Sequence, residues 1–151
     1  MAHGPTARGK TTLADEEAGN ELKLGEFQNV PTLSLSAAKV LIDTVLDHRA
    51  DQQRREIPQT PFAVADQLAV RMLVKMRDYL DTFSRFKNKQ VVQETEAWLE
   101  TEFKELESFE RSQLVSLCCE SPDEAKTLIP SLSAKIDDEK LDGLLKDLTK
   151  R

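Results

Sequence analysis

One pattern near the start of the chain has the spacing of a phosphate-binding loop. Gly4, Gly9, Lys10 and Thr11 match G-x-x-x-x-G-K-[ST], in which backbone amides and the lysine hold nucleotide phosphates. A working loop of this kind needs a buried strand before it and a helix after it. Only three residues precede Gly4, and the residues after Thr11 open no amphipathic helix. We therefore interpret the match as a coincidence and predict no nucleotide cofactor.

A second segment combines aromatic and basic side chains, as single-strand-binding proteins do. Phe83 and Phe86 are three residues apart, and Arg85 and Lys87 lie beside them. The cations could contact phosphates while one ring stacks on a base. The alternative is that both rings fill a joint between two helical segments while the cations face water. We favour this alternative because Phe83 continues the apolar stripe of the preceding segment.

No other residues have the types and spacing of a catalytic or metal site. Cys118 and Cys119 are adjacent in an expected helix, and no histidine or lysine motif activates a thiolate, so we interpret them as reduced, buried structural cysteines. His3 and His48 are too far apart in sequence to suggest a metal site. One helix carries four carboxylates that we expect on its solvated side: Glu94, Glu96, Glu100 and Glu102. The chain is predicted not to be an enzyme.

Charge is distributed unevenly over the 151 residues, whose formal net charge is −6. Residues 34–90 hold ten basic and seven acidic residues, whereas residues 91–151 hold eight basic and 15 acidic ones. Because phosphate contacts dominate nucleic-acid affinity, this balance makes nucleic acid a poor target for the chain alone and favours a protein partner. No apolar run approaches the roughly 18 to 20 residues that span a bilayer, so no membrane segment is predicted.

Apolar residues recur at intervals of three and four along most of the chain, which predicts an all-α fold. The predicted helices are six: Ser34 or Ser36 to about Ala50, Phe62 to about Phe83, Lys89 to about Leu106 after the N-cap Asn88, one capped by Ser108, a short one capped by Ser121, and Asp137 to Leu148.

These helices must be organised around the joint at residues 79–88. Residues 1–20 have almost no large apolar side chains and are predicted to be a disordered tail. Residues 21–88 would form an arm and two helices, too little to close a core without a bundle or another chain. Within the arm, Leu22, Leu24 and Phe27 fit an extended segment that either packs on its own helices or adds to the sheet edge of a partner. Residues 89–151 would form a small helical bundle.

Two separated segments then carry a resemblance to a known family. The first is Tyr79-x-x-Thr-Phe-Ser-Arg-Phe-Lys-Asn88, and the second runs from Phe109-Glu110 to Leu128-Ile-Pro-Ser-Leu132. Together they resemble the family of stalk subunits typified by the fourth subunit of eukaryotic RNA polymerase II. The resemblance covers roughly residues 20–149.

The resemblance implies an all-helical protein whose C-terminal part is similar to the helicase-and-RNase-D C-terminal (HRDC) domain. It implies a non-catalytic subunit in an obligate heterodimer with the seventh polymerase subunit, which connects it to the polymerase core. The interface residues that it implies are Leu22, Leu24, Phe27, Leu41 and Val45. It further implies a nuclear protein, shuttling to the cytoplasm, that acts in transcription initiation and contacts nascent RNA indirectly, with no membrane and no small-molecule substrate.

Two other functions stay open from the sequence. The stalk subunit of RNA polymerase III shares the architecture, although the Phe-Ser-Arg-Phe-Lys and Leu-Ile-Pro-Ser-Leu segments favour polymerase II. A stand-alone domain could instead bind single-stranded nucleic acid through Phe83, Arg85, Phe86 and Lys87. The leading interpretation makes these four residues a hinge between a partner-docking half and the terminal bundle.

Overall fold

The computed structural model describes residues 16–55 and 64–151, with the side chains of all but residues 52–55 and 64–70 within those ranges. The phosphate-loop pattern at residues 4–11 and the predicted start of the second helix lie outside the described residues. Of the predicted tail, residues 1–20, the structure describes only residues 16–20.

The described part of the chain is built almost wholly from helices, which confirms the all-α prediction. Its elements in chain order are the strands β1 (Glu17–Ala18) and β2 (Leu22–Lys23), a 3₁₀ turn (Gly25–Phe27), α1 (Leu35–Arg55), α2 (Val64–Phe83), α3 (Lys89–Glu102), α4 (Ser108–Leu117), α5 (Pro122–Leu128), a 3₁₀ turn (Pro130–Ala134) and α6 (Asp138–Lys150).

The arm contains a small antiparallel hairpin. Glu17 pairs with Lys23 and Ala18 with Leu22, so β2 has a partner strand within the chain. The sequence analysis offered this segment its own helices or the sheet edge of a partner, whereas the structure pairs it with a strand from the end of the predicted tail. Gly25 follows β2 with a φ of +56°, a conformation that glycine adopts without steric cost.

The helix starts follow the capping residues of the sequence. The Ser34 hydroxyl accepts a hydrogen bond from the Ala37 amide at 3.1 Å, and the Asn88 side chain accepts one from the Gln90 amide at 2.8 Å. Ser121 caps α5 in the same way. These contacts satisfy amides that the first helical turn leaves without partners, and they confirm the predicted starts.

The predicted cap of α4 was misplaced by one residue. Glu107 is the N-cap, and its amide donates to the Glu110 carboxylate at 2.7 Å. Ser108 is instead the first helical residue, and its hydroxyl accepts a hydrogen bond from the Thr32 amide at 2.9 Å. The serine therefore attaches the arm to the bundle, a long-range contact that local sequence does not show.

Two helix ends also differ from the predictions. The first helix extends to Arg55, beyond the expected Ala50, because no breaking residue intervenes before Pro58. The third helix stops at Glu102, before the expected Leu106, and Phe103 leaves helical geometry with a φ of −122°. Phe103 and Leu106 are both buried, so the chain turns there to bring them into the core.

Leucine is the commonest residue of the core, which lies mainly within the α3–α6 bundle. The four periodic leucines of α6 are buried as predicted: Leu141, Leu144, Leu145 and Leu148. Ala37 of α1 and Phe86 of the joint belong to the same core. The start of α1 is thus part of the bundle, although the sequence analysis assigned it to the docking half. The apolar periodicity of the third helix includes Trp98 and favours a core position for it; its side chain lies half-buried against the core, with its ring edge-on to Phe103.

A buried carboxylate fixes the corner between α3 and α4. The Glu110 side chain is fully buried and accepts hydrogen bonds from the Ser131 hydroxyl at 2.6 Å and the Glu107 amide at 2.7 Å. The Lys135 ammonium lies 2.9 Å from the same carboxylate. Burying a charge is tolerated here because it is both paired and hydrogen-bonded.

Within the described ranges, no helix has the length and apolar content needed to cross a membrane.

Candidate partner-binding face

Helices α1 and α2 pack against each other in antiparallel orientation. Lys39 Nζ lies 2.9 Å from Asp81 Oδ1, and Arg77 Nε lies 3.2 Å from Asp43 Oδ1. The residue number rises along α1 while it falls along α2, so the helices run in opposite directions. These ion pairs mark one side of the helix pair.

The described part of α2 exposes a row of large apolar side chains. Met72, Met76, Tyr79 and Phe83 follow one another at intervals of four, three and four residues, which places them on one helical face. Their exposed fractions lie between 38% and 64%. The rings of Tyr79 and Phe83 are in contact, with centroids 4.7 Å apart.

A matching pair, Leu41 and Val45, is exposed on α1, at 51% and 39%. Each follows an ion-pair residue by two positions, as Tyr79 and Phe83 do on α2. Two residues correspond to about 200° of helical rotation at 3.6 residues per turn. Both rows therefore point away from the ion-pair residues of their own helix.

We call this set of six residues the apolar face: Leu41, Val45, Met72, Met76, Tyr79 and Phe83. Single exposed apolar side chains are normal, but six of them on two packed helices are typical of a protein interface. Methionines also adapt to irregular partner surfaces. Leu41 and Val45 are two of the interface residues that the resemblance implies. Met72, Met76 and Tyr79 belong to the apolar periodicity that predicts the second helix, and the sequence analysis gave them no interface role.

The arm adds a second apolar surface. Phe27 is 61% exposed, whereas Leu22 and Leu24 are half-buried. The base of the arm is held by serines of α4: the Thr32 hydroxyl donates to Ser112 Oγ at 3.0 Å, and the Leu35 amide donates to Ser116 Oγ at 3.0 Å. These bonds fix where the arm leaves the bundle.

Between the arm and the α3–α4 corner lies an open groove of about 560 Å³. Gln28 and Val30 line one wall, and Glu100, Lys104 and Arg111 line the other. The Arg111 guanidinium donates to the Leu106 carbonyl, so it is held by the corner itself. The groove brings together cations and carboxylates but no nucleophile with a base, and we assign it no chemistry.

The joint separates the two aromatic residues that the sequence placed together. Phe86 is buried in the bundle core, as predicted, and its amide donates to the Ser36 hydroxyl at 3.0 Å. Phe83 is 57% exposed, so the expectation that it fills the joint was wrong. The reason is that α2 ends at Phe83 and the chain turns before Phe86.

The two cations of this segment differ in their contacts. Arg85 is exposed, and its charge acts on the nearby Cys118 thiol. Lys87 Nζ donates to the Asp81 carbonyl, and lies 3.3 Å from Ser84 Oγ. Lys87 therefore holds the last turn of α2, where carbonyls lack helical partners and a cation is favourable.

The cysteines have the features of structural residues. Cys119 is buried and Cys118 half-buried, and desolvation raises the pKa of both thiols, which disfavours the reactive thiolate. The prediction that both lie in a helix was wrong, because α4 ends at Leu117 and Cys118 has a φ of 47°.

One of the four carboxylates expected on the solvated side of α3 does not lie there. Glu96 is half-buried, and the Ser34 hydroxyl donates to it at 3.2 Å. Desolvation raises the pKa of Glu96, with the nearby Glu100 acting in the same direction and Ser34 opposing it. Across residues 16–55 and 64–151, no group of three or more His, Cys, Asp and Glu side chains could hold a metal ion.

Comparison with known proteins identifies the family of this chain. A family model described as RNA polymerase Rpb4 matches residues 32–151, which include all six described helices. The chain is 43% identical over 135 residues to the DNA-directed RNA polymerase II subunit rpb4 of Schizosaccharomyces pombe, covering 89% of this chain and 90% of that protein.

Two further relatives, with lower identity, also match this chain over most of their length. Identity is 33% over 127 residues with the DNA-directed RNA polymerase II subunit rpb4 of Dictyostelium discoideum, covering 76% of this chain and 80% of that protein. With the DNA-directed RNA polymerase II subunit 4 of Arabidopsis thaliana, identity is 31% over 139 residues, covering 89% of this chain and 93% of that protein. The resemblance found in the sequence is confirmed: the chain belongs to the RNA polymerase Rpb4 family.

Proposed function

We propose that this chain is a non-catalytic subunit of DNA-directed RNA polymerase II and forms a heterodimer with the seventh subunit. Family membership supports the first part, and the three relatives described above are polymerase II subunits, which favours polymerase II over polymerase III. The observation that carries the second part is the apolar face, six large side chains of α1 and α2 that are exposed in the described part of the chain.

Two regions of the chain have different roles in this proposal. Residues 21–88 dock on the partner through the apolar face and through Leu22, Leu24 and Phe27 of the arm. The hairpin supports this role, because a two-stranded sheet leaves backbone amides and carbonyls on its outer edges that can pair with a partner strand. Residues 89–151 form the HRDC-like bundle that carries the docking region.

The subunit acts by shape rather than by chemistry. The heterodimer forms the polymerase stalk beside the path of the nascent RNA, in the nucleus, and serves transcription initiation and RNA handling; shuttling to the cytoplasm belongs to the same proposal. RNA is contacted mainly through the partner. The acidic surface of residues 91–151 supports this division, because it disfavours phosphate contacts by the bundle.

Charge substitutions on the apolar face test the pairing. The chain is mixed with a seventh-subunit homologue, and the dissociation constant is measured by titration calorimetry for the wild type, Leu41→Glu and Phe83→Glu. Truncation of a central interface residue costs 2 kcal/mol or more, so each variant should bind about 30-fold more weakly.

Leu128→Glu is the matched control, because Leu128 is 53% exposed but lies on the bundle at the end of α5. Its affinity should equal that of the wild type. A wild-type chain that forms no complex would refute the pairing, and equal losses in all three variants would refute the assignment of the face. Preferential binding to the polymerase III counterpart would favour that alternative.

A further inference from the structure

Polar side chains that point away from the apolar rows of their own helices join α1 to α2. Lys39 Nζ lies 2.6 Å from Asp43 and 2.9 Å from Asp81, and Arg77 lies 3.2 Å from Asp43. We call these four residues the polar clamp. The charges alternate along the cluster, so each residue faces at least one opposite charge.

The clamp acts at the place where α2 has few other contacts. Its main packing partner among the described elements is α1. Leu80 of α2 is buried, but Leu73 of the same helix is only half-buried. Apolar packing is not directional, and it tolerates sliding of one helix along another better than hydrogen-bonded ion pairs do.

The ionised state of the clamp is favoured at physiological pH. The hydrogen bonds that Lys39 donates to Asp43 and Asp81 raise the pKa of Lys39, and the one that Asp81 accepts lowers the pKa of Asp81. Both shifts favour the charged forms. The charges are partly exposed, so their net effect on folding stability is small, whereas the geometry that they require is specific.

The joint reinforces the clamp from the end of α2. Lys87 donates to the carbonyl of Asp81, one of the clamp residues, and the neighbouring Phe86 amide donates to Ser36 in the first turn of α1. The end of α2 and the start of α1 are thereby held together next to the bundle core.

We propose that Lys39, Asp43, Arg77 and Asp81 are positioning residues for partner binding, and that Lys87 belongs with them. They fix the register of α2 against α1, and hence the position of Tyr79 and Phe83 relative to Leu41 and Val45. The inference rests on the proposed pairing through the apolar face. It assigns Lys87 to the protein scaffold rather than to nucleic acid.

A charge reversal and its compensating swap test the clamp. Arg77→Glu should weaken binding of the seventh-subunit homologue about tenfold, because it places a third acid between Asp43 and Asp81. The swap that reverses all four clamp charges, Lys39→Glu, Asp43→Arg, Arg77→Glu and Asp81→Arg, keeps every pair opposite and should return the affinity to within about threefold of wild type. Recovery by the swap is the sign of positioning, because a general loss of stability would not be restored by further reversals.

Lys146→Glu is the matched control, since it reverses an exposed cation that pairs with Asp142 at i, i+4 on α6. It should leave the affinity unchanged. Wild-type binding by Arg77→Glu, or failure of the swap to recover affinity, would overturn the clamp while leaving the pairing intact. A wild-type chain that does not bind would instead refute the pairing on which the clamp depends.

Lys87→Met gives an independent test with the heterodimer and single-stranded RNA. The substitution keeps most of the aliphatic stem and removes the donor to Asp81. Affinity for the partner should fall about threefold, while the dependence of RNA affinity on salt concentration stays unchanged. If the slope of log RNA affinity against log salt concentration becomes shallower by about one, Lys87 contacts a phosphate. That result would overturn its assignment to the clamp.

Discussion

Replacing Lys135 by methionine should destabilise the bundle far more than an ordinary surface substitution. Lys135 Nζ lies 2.9 Å from both Glu107 and the fully buried Glu110. Methionine keeps much of the apolar stem but removes the cation. The Glu110 carboxylate then stays buried with hydrogen bonds from Ser131 and the Glu107 amide, but without its counter-charge.

The size of the loss follows from how well the pair is shielded from water. Breaking a fully buried ion pair costs about 3 to 5 kcal/mol, because an uncompensated charge remains. The Lys135 side chain is 26% exposed, and two hydrogen bonds to the carboxylate remain, so the loss should be smaller. We expect the free energy of unfolding to fall by about 2 kcal/mol, within the range for a buried acceptor that loses one hydrogen-bond partner.

Urea unfolding at pH 7 measures this loss against a matched control. Lys126→Met breaks a pair with Asp138, whose side chain is 71% exposed, and should cost less than about 1 kcal/mol. Adding Glu110→Gln to Lys135→Met should recover part of the loss, because it removes the uncompensated charge. The reasoning would be refuted if Lys135→Met cost no more than Lys126→Met.

Three further predictions concern the free chain. Leu144→Ala should cost about 2 to 5 kcal/mol in urea unfolding, whereas Leu128→Ala on the surface should cost under about 1 kcal/mol, and equal losses would contradict the core assignment. Gly143→Ala should stabilise by up to about 1 kcal/mol, because its Cβ would meet no atom within 4 Å in the middle of α6, and a lower melting temperature would contradict this. Because the pKa of Glu96 is raised in the fold, the folded state binds more protons than the unfolded state just above the ordinary value of 4.5, and stability falls as pH rises through that window. Glu96→Gln should therefore raise the melting temperature at pH 7 relative to wild type, with the gain vanishing below pH 4.5.

Local sequence predicted the helices and most of their starts, because capping and periodicity are local properties. Ser34, Asn88 and Ser121 each bond to an amide within three residues. Helix ends were less predictable. The third helix stops at Glu102 because Phe103 and Leu106 have to reach a core formed by distant residues.

The candidate face could be predicted only in part, because periodicity identifies an apolar side of a helix but not what covers it. Met72, Met76 and Tyr79 have the same spacing as core residues, and only the structure shows them exposed. The sequence did indicate that this stripe needs a cover from elsewhere. Only two helices and an arm precede residue 84, which are too few elements to bury it.

The roles of the joint residues depended on contacts far along the chain. Phe86 bonds to Ser36, 50 residues earlier, and it enters the core after α2 has ended. The sequence left two roles open for Lys87, a phosphate contact beside the aromatic residues or the favoured alternative of a cation facing water. Its actual acceptors lie three and six residues before it, in a turn whose geometry the sequence does not reveal.

Affinity purification of the tagged full-length chain from its own cells tests the central claim most directly. Quantitative mass spectrometry of the eluate should recover the seventh subunit together with the large subunits of RNA polymerase II. Phe83→Glu should lose both, and Leu128→Glu should keep them. Recovery of polymerase III large subunits, or of the wild-type chain without any polymerase subunit, would contradict the account.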